Sequence, residues 1–323
     1  MRFSSLRRHL LIYRGLLICI VLWFAGCSNV PDSSGPWGHL HQGRYGAAAV
    51  TDGRYIYVTG GSSARYEDIS AERIDLQTGL VEVLPWKLSA RRYHAAVLID
   101  RTIWVFGGED WRSLNPTIEK IDLTTGTVSQ AGLLKFPRSH LSAGIIAGRI
   151  MLVGGAGFKE LEDGRGAKVE IFDPATETIT LAPDFPISLQ TQIAAANDNL
   201  FAIGGWNKNI GTLASSFQYD ASHGWTALRD LPFQLSAHAL VAANDYLFSF
   251  GDYTELGCVA RYDFAHDQWT KIQLPYEPRR HATAVVVGNQ VAVIGGNIAT
   301  RDSALDTIEV YRITDLIQAT SLP

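Results

Sequence analysis

Short apolar runs, each stopped by a pair of small residues, recur along the chain. Tyr55–Thr59, Ile103–Phe106, Ile150–Val153 and Leu200–Ile203 lead into Gly60-Gly61, Gly107-Gly108, Gly154-Gly155 and Gly204-Gly205. Tyr246–Phe250 leads into Gly251-Asp252, and Val291–Ile294 into Gly295-Gly296. The first glycines are spaced by 47, 47, 50, 47 and 44 residues. The runs are β-branched or aromatic and too short for helices, so they read as buried strands. A second apolar stretch precedes each run, often Ala-rich, as in Ala47–Val50, Ala95–Leu98, Ala194–Ala196 and Ala282–Val285. Turns such as Asp52-Gly53-Arg54 and Gly288-Asn289-Gln290 join the two as hairpins.

A third strand follows a variable loop and ends in Ile74-Asp75, Ile121-Asp122, Phe172-Asp173, Tyr219-Asp220, Tyr262-Asp263 or Val310-Tyr311. A fourth is predicted over Val81–Leu84, Thr127–Ala131, Thr178–Leu181, Trp225–Leu228 and Gln268–Ile272. Four antiparallel strands per repeat make one propeller blade, so the expected fold is an all-β, six-bladed β-propeller. The sixth repeat lacks an outer strand after Tyr311. Trp37-x-x-Leu40 matches Trp225-x-x-Leu228, which predicts that an N-terminal strand closes the last blade and removes the open edge.

The order Arg, His-Ala, apolar strand, Gly-Gly, Tyr-Asp, Trp, Leu-Pro resembles the kelch repeat. Tyr262-Asp263, Trp269, Leu274-Pro275 and Arg279-Arg280-His281-Ala282 carry its second half. The resemblance covers residues 37–312, with residues 313–323 as a C-terminal tail. It implies a binding face made by the loops after each Gly-Gly and the turns leading into each inner strand.

Residues 1–27 read differently. Arg2, Arg7, Arg8 and Arg14 precede the apolar run Gly15–Ala25, which fits an export signal and is short for a membrane span. Phe24-Ala25-Gly26-Cys27 resembles the lipobox of bacterial lipoproteins, with Phe24 in place of the usual aliphatic residue. That resemblance implies lipidation at Cys27, and Ser28 in place of Asp leans towards the outer membrane, facing the periplasm. Arg7-Arg8-His9-Leu10-Leu11 also resembles a twin-arginine export motif, so the route stays open. Residues 28–36 read as a flexible tether. The formal net charge is −4. Without the four arginines of residues 1–26 the remainder holds 24 basic and 32 acidic residues, near −8. Such a balance disfavours nucleic acid as a partner. Cys258 alone in the exported part allows no intramolecular disulfide.

Rotational repetition gathers equivalent positions around one axis. The inner strands are led in by Arg44, Arg92, Arg138 and Arg279, a predicted ring for a carboxylate or other anion. The Gly-Gly loops, which also present Phe158, add Trp111, Trp206, Asn207, Tyr253 and Asn297 as ligand-binding candidates, with Glu109, Asp110, Asp252 or a channel histidine as possible proton carriers. The same Arg and His positions belong to the kelch pattern and could serve only to join blades, so both roles stay open. His94, His140, His238 and His281 also recur, but no carboxylate partners accompany them and no metal site is predicted. No cofactor fingerprint or catalytic motif is present. Two function classes remain. One is an envelope binding module for a protein, carbohydrate or anionic ligand. The other is a sugar mutarotase resembling bacterial N-acetylneuraminate epimerase. Copper-radical oxidation as in galactose oxidase is disfavoured, because Cys258 sits in a predicted third strand.

Overall fold

A computed structural model describes residues 34–63, 70–298 and 303–322. The export signal, Cys27 and residues 28–33 of the tether lie outside the described residues. The described chain forms six four-stranded antiparallel sheets, the blades of a propeller. Blade one holds Ala48–Thr51, Tyr55–Thr59, Glu72–Asp75 and Val81–Val83 from the axis outwards. Blades two to five repeat this order in sequence.

Successive residues of each inner strand turn to the two neighbouring blades, as the period of two requires: Ala95 and Val97 pack towards blade three, Ala96 and Leu98 towards blade one. The apolar core is therefore six seams. Val50 and Tyr57 of blade one meet Ile103 and Val105 of blade two. Trp104 and Phe106 of blade two meet Leu152 and Phe172 of blade three. The last seam joins Val285, Ile294 and Ile308 of blade six to Ile56, Val58 and Ile74 of blade one.

Blade six is closed as the sequence predicts. Its outer strand is Gly35–His39, antiparallel to Thr307–Arg312, with Gly35 opposite Val310 and His39 opposite Thr307. The strand begins at Gly35, inside the stretch read as tether. Pro36 is tolerated because it sits on an edge strand. Trp37 and Leu40 pack into the seam between blades six and one, and the Leu40 amide donates to Asp306 O at 2.7 Å.

The stretch read as a tail is built into the fold. Ile313–Gln318 is a short helix that buries Ile313 and Leu316 against blades five and six. The Arg261 guanidinium donates to the Leu316 and Ala319 carbonyls at 3.2 and 3.4 Å. Beyond it, Gln273 N–H donates to Thr320 O and Leu322 N–H to Lys271 O, both at 2.9 Å, which covers the outer edge of blade five.

Truncating Leu40 to alanine is expected to cost about 2–5 kcal/mol. Deleting Trp37–His41 removes that contact and the closing ladder together, so thermal melting followed by circular dichroism should fall further still; an unchanged melting curve would rule out closure by this strand.

Candidate functional site at the axial funnel

Three of the four predicted ring arginines are not at the axis. Arg44, Arg138 and Arg279 are fully buried inside their own blades. Arg44 pairs with Glu72, Arg138 with Glu170 at 3.2 Å and Arg279 with Glu309 at 2.7 Å. Arg279 also donates to Gly295 O at 2.9 Å, and Arg44 to Gly60 O at 3.2 Å. A guanidinium so enclosed is out of a ligand's reach.

The fourth predicted member is out of register by one residue. Arg91, not Arg92, is the repeat's equivalent: it pairs with Glu119 and donates to Gly107 O at 2.9 Å. Blades four and five keep the geometry without charge. Leu189 and Phe217 occupy the pair's positions in blade four, and Leu235 and Ala260 in blade five, all buried. Burial brings Arg138 down to about 10 and pushes the Glu170 carboxyl up, each offset by the other's charge.

The residue after each arginine faces the mouth: Tyr45, Arg92, Ser139, Gln190, Ser236 and Arg280. Arg92 donates to Tyr45 Oη at 3.0 Å and to Glu109 at 2.9 Å, and its guanidinium carbon lies 4.0 Å from the Trp111 ring centre. Glu109 is buried and also accepts from Ser139 Oγ at 3.1 Å. Its carboxylate is taken up by these two contacts and positions Arg92. Arg280 stacks on Tyr253 at 4.0 Å. One position further on, the backbone turns left-handed, and Tyr93, His140 and His281 meet over the axis. The Tyr93 and His140 rings stack at 3.7 Å, and His281 lies 5.1 Å from Tyr93. A backbone chain runs beneath them, from His140 N–H to Tyr93 O, Tyr93 N–H to Gly46 O, Gly46 N–H to His281 O and His281 N–H to Ala237 O, at 2.7–2.9 Å.

These rings form part of a funnel of about 450 Å³ with Trp206, Tyr253, Gln190 and Glu160 on its wall. Trp206 stands on a strand, because the second strand of blade four runs on through Gly204-Gly205 to Asn207. Glu160 was not among the sequence candidates, which took only Phe158 from its loop. It sits in the longest connection between second and third strands, from Gly154 to Val169. Lys159 and Glu160 both hold left-handed backbone, at φ of 56° and 61°. Such strain concentrates at functional sites. Burial, then the nearby Glu109, pushes the Glu160 carboxyl up, against the pull of Lys208 and Arg92.

Other candidates are structural. Asp110 caps its own turn, accepting from the amides of Arg112 and Ser113 at 2.7 Å. Asp252 is buried and accepts from Ser236, Thr254 and Glu255 amides at 2.7–2.9 Å. Asn207 is buried against Glu162 and the Ser188 carbonyl. Asn297 is buried and bridged through its backbone to Arg280. Among the described residues no cluster of His, Cys, Asp or Glu is placed to hold a metal. His94 instead bonds Thr59 Oγ1 at 2.9 Å. Cys258 is buried in the wall of blade five, and burial pushes its thiol up to about 12.

The Kelch motif family matches residues 43–85 and 90–132, which are blades one and two. The chain is a six-bladed β-propeller whose first two blades carry the kelch motif. It is 28% identical over 108 residues to alpha-scruin of Limulus polyphemus, covering 30% of this chain and 12% of that protein. It is 26% identical over 143 residues to the human kelch repeat and BTB domain-containing protein 12, covering 37% of this chain and 23% of that protein. The chain thus spans only a small part of these longer relatives. Among solved structures, that of YjhT superposes with a TM-score of 0.74 at 14% identity, covering 88% of this chain and 99% of that one. At that identity the likeness establishes the fold.

The internal comparison of blades gives one expectation. Arg138→Leu alone leaves Glu170 buried without its partner and should cost about 3–5 kcal/mol in chemical denaturation. The double variant Arg138→Leu/Glu170→Phe copies blade four of this kelch propeller and should recover most of that loss; no recovery would show that the pair does more than fill space.

A second expectation concerns acid. Burial holds His94 at about 3 and His238 at about 4, far below the ordinary 6.5. The unfolded chain takes up protons there that the folded propeller refuses. Stability is therefore complete above pH 6.5 and lost as pH falls towards 4, by about 2 kcal/mol per histidine at pH 5. Denaturation midpoints at pH 7 and pH 5 should diverge, and less so in His238→Gln.

Proposed function

We propose that this kelch propeller is an exported, lipid-anchored envelope protein that binds a small acidic carbohydrate in its axial funnel. The observation that carries the reading is the funnel's aromatic wall with two guanidiniums close to its rings. Burial first, then the nearby Arg280 and Arg92 guanidiniums, keep the His281 imidazole neutral. Forked guanidiniums suit a carboxylate. Trp206 and Tyr253 line the same space, and Tyr253 is 52% exposed. Their flat faces suit a sugar ring. A concave cavity of this size favours a small molecule over a flat protein surface, although kelch propellers in general serve as protein-binding modules.

The export signal and Cys27 motivate the location. Ser34 lies beside Arg312 and Asp315, and Ile313 N–H bonds Asn289 O in an inner hairpin turn, on the face opposite the Gly-Gly loops. Seven residues from Cys27 to Ser34 reach at most about 25 Å. An anchor at Cys27 would then hold the hairpin face near the membrane and turn the funnel away from it.

A second reading is anomer interconversion of such a sugar, in the manner of N-acetylneuraminate epimerase. Glu160 favours it, since a carboxyl with a raised pKa at the cavity wall can pass a proton between the ring oxygen and the anomeric hydroxyl.

Calorimetric titration with glucuronate and N-acetylneuraminate should show binding that Trp206→Ala or Arg280→Ala weakens about tenfold or more. Absence of binding to any acidic sugar would overturn the reading. Mutarotation followed by NMR decides the second: Glu160→Gln should abolish the acceleration while leaving binding, and no acceleration by the unaltered protein leaves a binding module.

A further inference from the structure

Among the described residues, every seam between blades but one is closed by a large ring or a helix. Trp86 stacks on Tyr57 at 5.7 Å between blades one and two. Trp225 meets Phe185 at 4.6 Å between blades three and four, and Phe264 meets Phe201 at 4.9 Å between blades four and five. The short helix packs between blades five and six, and Trp37 between six and one. Between blades two and three lies a groove of about 450 Å³ instead. Thr102, Trp104, Lys120, Thr127 and Ser129 of blade two line it, and Lys120 pairs across it with Glu177 of blade three.

The repeat shows what is missing. Trp104 is the counterpart of Tyr57, each standing three residues before a first glycine. Trp86 stands 11 residues after Asp75 and 5 before Arg91, and Leu133 stands at the same distances from Asp122 and Arg138. Leu133 does not fold back over the groove. It ends the outer strand Thr127–Leu133 and is 56% exposed. Trp104 has Phe172 at 4.9 Å and Lys120 Nζ at 5.8 Å, but no ring in the place of Trp86.

That outer strand is also the least protected edge. It is seven residues long and carries no charge and no proline. Blades one, three and four end in strands of three or four residues. The edge of blade five is covered by the C-terminal segment, and that of blade six contains Pro36. Edges are normally blunted by such devices, and one left bare is a template for an added strand. Thr127 and Ser129 are exposed and turn to the groove, so alternate residues of an added strand fall on the same side. A ring there reaches inwards over the small Ser129 side chain. Asp122 and Glu177 against Lys120 leave the groove one charge negative, which suits a basic residue two places from the ring. A second copy of the chain supplies no such segment. Among the described residues Tyr253 is the one exposed Phe, Tyr or Trp, and it lies in a loop at the funnel rim.

We propose that the groove between blades two and three binds an extended segment of a protein partner, which pairs with Thr127–Leu133 and points an aromatic side chain towards Trp104. The site is separate from the funnel, and its test does not depend on the funnel's ligand. The full protein is titrated with acetyl-Thr-Thr-Trp-Thr-Lys-Thr-Thr-amide and with the same peptide carrying alanine for tryptophan, followed by NMR and amide hydrogen exchange. The tryptophan peptide should bind about tenfold or more tighter, protect amides of Thr127–Leu133 from exchange and shift the Trp104 indole N–H. Ser129→Trp, at an exposed position, should fill the groove from within and bring both peptides to the same weak affinity. No binding, equal affinity of the two peptides, protection away from blade two, or a preference for tryptophan that survives Ser129→Trp would overturn the assignment. So would protection of Thr127–Leu133 that grows with protein concentration in the absence of peptide, which would give the edge to a second copy.

Discussion

One backbone carbonyl joins each blade to the next. The second glycine of a pair donates its N–H to the carbonyl at the start of the following blade: Gly61 to Arg91, Gly108 to Arg138, Gly155 to Leu189, Gly205 to Leu235 and Gly296 to Arg44, all at 2.8–3.0 Å. The contact admits no side chain at the turn. A Cβ on Gly60 would stand 2.5 Å from Arg91 O, and φ there is +55°. A carbonyl can hold a neighbour only if its own loop is fixed. The arginine's side chain fixes it by returning into its own blade to meet the glutamate and the first glycine's carbonyl. The fifth blade breaks the rule, since Asp252 replaces its second glycine. There Gly251 N–H bonds Cys258 O and the Asp252 carboxylate takes the Ser236 amide, both within the blade, and the junction to blade six is made in the other direction, by Arg279 N–H to Leu256 O at 2.9 Å.

That constraint explains which parts of the molecule could be read from sequence. The Gly-Gly spacing gives blade number and strand order, because the turn that joins blades can use almost nothing but glycine. The closing strand was legible for a related reason: a ring of five outer strands and six inner hairpins lacks one partner, and only Trp37–Leu40 resembles it. The arginine ring was misread, yet its correction was also in the sequence. Arg44, Arg91, Arg138 and Arg279 all stand 16 residues before a first glycine. Glu72, Glu119 and Glu170 all stand three before the aspartate that ends the third strand. Arg92, adjacent to Arg91, hid the register. Glu160 and the C-terminal helix left no periodic trace, since both lie in stretches that depart from the repeat and are placed by tertiary packing.

The buried pairs also show why scaffold and site occupy neighbouring residues and never the same one. Arg279 spends its donors on Glu277 O, Gly295 O, Thr307 O and the carboxylates of Glu277 and Glu309. A ligand could recruit it only by opening the blade. The next residue has its backbone in the same junction but its side chain turned to the mouth, so it varies without cost to closure: Tyr45, Arg92, Ser139, Gln190, Ser236 and Arg280 differ in size and charge. Blades four and five go further. An apolar replacement of a buried ion pair is often neutral or stabilising, because no desolvation has to be offset. With Leu189 and Phe217, or Leu235 and Ala260, apolar packing takes the place of the ion pair and the loop demands no charged partner from the third strand. Those two blades supply Trp206, Tyr253, Gln190 and His238, the wall where the funnel stays open. The blades without the ion pair are thus the ones whose residues form the open side of the funnel.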